Sequence, residues 1–143
     1  MNMAYATVDF FYHLALVVWL GGILILVSLV APTIFKTAAS REEAGTIFGA
    51  IIRRFQTIQF VCMLAVLATS MIKLKFWENA TPPITIRYLL IFAMVILTVF
   101  HGSIVTRRLR ALKGQAAFPR WHRISVIATC GILLLGLGAL YFS

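Results

Sequence analysis

The sequence predicts an all-α integral membrane protein, an up-down four-helix bundle with both termini outside. Three observations carry this. Apolar residues make up 62% of the chain, against roughly 45–50% in soluble domains, and the mean hydropathy is +0.97. Apolar runs of about twenty residues recur, the length a helix needs to cross a bilayer. The basic residues gather in short clusters between those runs, as membrane topology requires.

At 143 residues the chain is expected to form a single transmembrane domain over 1–143. Residues 1–8 are uncharged, and Asp9 precedes the first span, residues 10–31. Pro32 is expected to end or kink that span. Ser40-Arg41-Glu42-Glu43 reads as a capping box, a Ser N-cap with Glu three residues on. Ala44, Ile47, Phe48, Ile51, Ile52 and Phe55 then recur at helical spacing. They predict a helical extension over 41–54 that runs into the second span, 55–72. Lys73, Lys75, Trp77 and Glu78 mark its exit. Asn79 to Pro83 reads as a turn followed by a helix start. The third span is 88–105, continuing into a basic end with Arg107, Arg108, Arg110 and Lys113, and Gly114 is the expected stop. Pro119 opens the fourth helix, whose span is 124–142.

Orientation follows from counting Lys and Arg. The two loops on one side hold ten: Lys36, Arg41, Arg53, Arg54, Arg107, Arg108, Arg110, Lys113, Arg120 and Arg123. The other side holds three: Lys73, Lys75 and Arg87. The excess belongs in the cytoplasm, which puts both termini outside. The same placement turns the net charge of +9 into a topology signal rather than a nucleic-acid footprint. Arg53, Arg54, Arg107, Arg108, Arg110 and Arg123 are expected at lipid headgroups.

Polar residues are costly in lipid and should face other helices. At 100° per residue the first span aligns Asp9, His13, Leu20, Leu24, Ser28 and Ala31. The second aligns Gln56, Gln59, Met63 and Ser70. The third aligns Arg87, Leu90, Met94, Thr98 and His101, and the fourth His122, Ser125, Thr129, Gly136 and Ser143. Gln59, Ser70, Thr98 and Thr129 are the interior polar candidates.

Two histidines are candidate ligands. Asp9 and His13 stand i, i+4, so the carboxylate can hold the imidazole, an arrangement that orients a metal- or haem-ligating His. His101 lies deeper, on a helix apolar for a dozen residues. Its other role is a neutral imidazole bonded to Thr98, Gln59 or Thr129. The candidate metal ligands are thus Asp9, His13 and His101. The cofactor candidates are His13, His101, Met63 and Met94, for haem b or copper. Cys62, Met63, Met94 and Cys130 are soft groups of the kind that takes Cu(I), but none forms a CxxC or MxxM pair. No Walker loop, HExxH motif, paired carboxylate or nucleophile–base pair is legible, and no carboxylate lies mid-membrane.

The string from His13 through Trp19-Leu20-Gly21-Gly22, then Val30-Ala31-Pro32 to Phe35, then Arg41-Glu42-Glu43-Ala44-Gly45, resembles the transmembrane-protein-205-like family of small four-span membrane proteins. The first span, with His13 and Trp19-Leu20-Gly21-Gly22, also resembles the opening of copper-resistance D-type membrane proteins. The resemblance implies a four-helix integral protein that handles a metal or a haem. The expected function is a ligand-holding or accessory module of the bacterial inner membrane, without enzymatic turnover of its own. Its partners would be membrane lipids and either further copies of itself or a larger membrane complex. The alternatives are a structural subunit of such a complex and a small metal transporter acting as an oligomer.

Overall fold

The structure, a computed structural model, describes residues 2–112 and 117–143. Lys113 and the expected stop at Gly114 lie outside the described residues. The protein is all-α, with no strand among the described residues. Four helical stretches, Met3–Thr37, Arg41–Phe76, Pro82–Ala111 and Pro119–Tyr141, are long and apolar enough to cross a membrane. This is a multi-pass membrane protein. The chain divides into two compact units, Met1–Glu78 and Asn79–Ser143.

The first unit is a helical hairpin. Helix α1 (Met3–Ile25) starts well before the expected span, because the Asn2 side chain caps it by accepting from the Ala4 N–H. Its buried stripe is Tyr12, Ala15, Leu16, Trp19, Leu20 and Ile23, recurring at three and four residues. Leu24 and Ser28, expected on the inner face, are exposed instead. The buried face runs about one residue, hence about 100°, away from the expected stripe.

Pro32 does not end this helix. A π-helical turn, Leu26–Val30, leads into α2 (Ala31–Thr37). There the Ala31 N–H bonds back five residues, to Leu26 O. The wider turn gives the proline ring room beside the carbonyl four residues back, and Pro32 sits where a missing N–H costs least, in the first turn of α2.

Helix α3 (Arg41–Phe76) is continuous over 36 residues. At 1.5 Å per residue that is about 54 Å, far more than a bilayer core of about 30 Å, so the helix extends beyond the membrane. It opens on the predicted cap: Ser40 Oγ accepts from the Glu43 N–H at 3.1 Å. The reciprocal arm reaches one residue further, Glu43 Oε2 accepting from the Ala39 N–H at 2.9 Å. Gly22 lets α1 and α3 approach, since a Cβ there would lie 2.3 Å from the Phe55 ring. Phe35 and Phe48 meet edge-on nearer the basic end.

The second unit repeats the scheme. Helix α4 (Pro82–Phe100) passes through a π-helical turn, His101–Val105, into α5 (Thr106–Ala111). Helix α6 (Phe118–Tyr141) returns against α4, with Pro119 in its first turn as expected. Leu97 fills the space at Gly131, and Leu90 that at Gly138.

Candidate functional site

Asp9, His13, Lys73 and Glu78 converge where α1 begins and α3 ends. Trp77 caps α3, and the Trp77 and Glu78 N–H groups both bond to Lys73 O, at 3.0 and 2.9 Å. That reversal turns Glu78 back over the helix end, and its Oε1 reaches Lys73 Nζ at 3.3 Å. On the other side Lys73 Nζ donates to Asp9 Oδ1 at 2.7 Å. The ammonium also lies 4.7 Å from the Tyr12 ring centre and 5.6 Å from that of Tyr5. Tyr5 in turn packs edge-on against Trp77. Lys73 is 1% exposed, and a buried ammonium persists only with compensation of this kind.

Sequence reasoning read Lys73 as a marker of the helix exit. Its burial was nevertheless signalled: Met63, Val66 and Ser70, all buried, recur at three and four residues, and the next position on that stripe is Lys73.

His13 completes the cluster. Its Nδ1–H donates to the Asp9 backbone carbonyl at 2.9 Å and lies 3.3 Å from Asp9 Oδ2. A carbonyl can only accept, so Nδ1 carries the proton and, in the neutral ring, Nε2 carries the lone pair. Nε2 has no protein partner among the described residues. The ring stands edge-on to Tyr12, with 36% of the side chain exposed. Asp9 therefore orients the imidazole while both its oxygens are engaged, one by Lys73 and one by His13. The Lys73 ammonium thus meets both carboxylates, Asp9 and Glu78.

In the second unit His101 opens the π-helical turn. The Thr106 N–H and hydroxyl both bond to its carbonyl. Its Nε2 is 2.8 Å from Ser125 Oγ. The partner is thus Ser125, not Thr98, Gln59 or Thr129. Thr98 and Thr129 turn back on their own helices, donating to Met94 O at 2.8 Å and Ser125 O at 2.9 Å. A hydroxyl and an imidazole are therefore paired where the sequence offered no nucleophile–base pair. No Asp or Glu occurs in residues 79–143 to orient them as a triad.

Gln59, Met63 and Ser70 are buried in the first unit, and Met94 in the second. Among the described residues no three His, Cys, Asp or Glu side chains gather into a metal-holding group. Trp19, wholly buried, leaves its indole N–H without an acceptor among the described residues. The headgroup candidates Arg53, Arg54, Arg107, Arg108, Arg110 and Arg123 are all exposed. The Arg108 guanidinium lies 5.8 Å from the centre of the Trp121 indole.

No curated protein and no solved structure is detectably similar to this chain. One family model matches, over residues 14–118, which takes in about half of α1, all of α3 and α4, and both π-helical turns. The match spans well over half of the sequence, and the chain belongs to the family described as the domain of unknown function DUF4149.

Proposed function

We propose that this protein is a ligand-holding module of the bacterial inner membrane, with His13 as its ligating residue. The bound group would be a transition-metal ion, copper among them, or a haem iron. The observation that carries the reading is the fixed state of His13. Asp9 holds Nδ1, and Nε2 is left with a lone pair at a partly exposed position. That is how a carboxylate and a backbone carbonyl orient metal-bound histidines. The Asp9 carboxylate, 3.3 Å from Nδ1, also favours a cation on the ring. The resemblance of His13 and Trp19-Leu20-Gly21-Gly22 to copper-resistance D-type proteins points the same way. His101 fits less well, because Ser125 occupies its Nε2. Haem or copper, when bound, would supply one-electron chemistry. The chain's own part is to present Nε2, fix its tautomer and hold a compensating charge beside it.

The test is an optical spectrum with metal analysis on protein expressed with ample iron, haem and copper. A Soret band, or about one metal ion per chain, is expected, lost in His13→Ala and kept in His101→Ala. A folded protein that is colourless and metal-free overturns the reading.

A structural subunit of a larger membrane complex is the second reading. It is favoured by the buried Lys73, which ties α1 to the end of α3 whether or not a ligand binds. Co-purifying proteins and native migration far above a homodimer would support it, and a monodisperse homomer in mild detergent would count against it.

A further inference from the structure

The four carboxylates of the chain, Asp9, Glu42, Glu43 and Glu78, all fall in the first unit. The second unit carries seven Lys and Arg and no Asp or Glu. The basic ends of the two hairpins therefore differ in kind. In the first, Glu42 and Glu43 stand beside Arg41 on the same helix. In the second, Arg107, Arg108 and Arg110 on α5 and Arg120 and Arg123 on α6 are exposed, and their own unit offers no side-chain anion. Their counter-charge has to come from outside it.

We infer that this end of the second hairpin is a binding site for an anionic phospholipid, formed by Arg108 over Trp121 and flanked on α6 by Arg123. Two features select a lipid over a free anion. Ile104 lies one turn before Arg108 on the same helical face, and Ile127 lies one turn after Arg123 on its face, and both are exposed. Each guanidinium thus sits one turn from an exposed isoleucine on its own face, a surface that matches a phosphate joined to an acyl chain. Trp121, half-buried under Arg108, supplies the amphipathic ring that settles at headgroup depth. Arginine is suited to the task because its planar fork meets phosphate oxygens in pairs and stays charged. The site is separate from His13 and does not depend on the ligand proposed there.

Native mass spectrometry of the full-length protein in mild detergent tests this. The probes are phosphatidylglycerol, phosphatidylcholine and inorganic phosphate. Phosphatidylglycerol is expected to stay bound under conditions that strip phosphatidylcholine, and excess phosphate is expected not to displace it. At about 1 kcal/mol for each arginine, Arg108→Gln with Arg123→Gln should weaken phosphatidylglycerol binding about 30-fold. Arg53→Gln with Arg54→Gln should weaken it by about threefold or less. Arg108→Lys with Arg123→Lys keeps the charge and loses the fork, and is expected to fall between. It also serves as the test if the glutamine pair aggregates. Equal retention of the two lipids, equal losses in the two glutamine pairs, lysine variants indistinguishable from wild type, or displacement by inorganic phosphate would each overturn the inference.

Discussion

Lys73 shows how one residue can be misjudged from sequence and still obey the rules that misjudged it. Lysine near the end of an apolar helix is ordinarily a headgroup residue. Here the carboxylates of Asp9 and Glu78 and the faces of Tyr5 and Tyr12 draw it inward. Removing only the cation leaves two carboxylates facing each other across its place. Lys73→Met should therefore cost about 2 kcal/mol in thermal unfolding, below the usual range for a broken buried pair because Asp9 keeps some solvent. Adding Asp9→Asn to Lys73→Met should recover part of that loss. A double variant no more stable than the single one would show that the ion pair is not what holds the helices there.

Gly22 supports a second expectation at this scale. An alanine methyl there would collide with a flat, rigid ring, so Gly22→Ala should cost about 1–3 kcal/mol. Gly131→Ala meets only the tip of Leu97 and should cost clearly less in the same melt. Sequence does not say which neighbour fills the space at each glycine, because that depends on the register between helices far apart in the chain.

At the scale of the element, what was legible is what local chemistry decides. The Ser40 cap, the proline at the head of α6 and the restart at Pro82 were all read from a few adjacent residues, and the structure has them. Ser40→Ala should cost about 1 kcal/mol and speed hydrogen exchange at the Glu43 amide, the N–H it caps. Unchanged exchange there would mean the cap carries no stability. The missed features depend on more than the local pattern. The buried face of α1 is set by Tyr12 and Trp19, whose large apolar area outweighs the polar edge formed by Asp9, His13 and Ser28. Neither π-helical turn was foreseen. Pro32 announced a perturbation but not its form, and nothing comparable stands at His101. His13 was legible because its partner is four residues away on the same helix, whereas Lys73 lies 64 residues from Asp9.

For the whole molecule, membrane residence was legible in bulk composition, because crossing a bilayer is a demand on length and hydropathy alone. Orientation follows from the ten-to-three division of basic residues. A phosphatase reporter fused at the C-terminus should be active and a fluorescent protein there dark, and the opposite result would invert the topology. One consequence of the division of carboxylates concerns the sign of each half's charge. Asp9, Glu42, Glu43 and Glu78 give the first hairpin anions of its own, but residues 79–143 hold no side-chain anion. The second hairpin's side-chain charge is therefore cationic throughout, and its arginines keep it so. The protein is thus electrically lopsided, with one half of mixed sign and the other of a single sign.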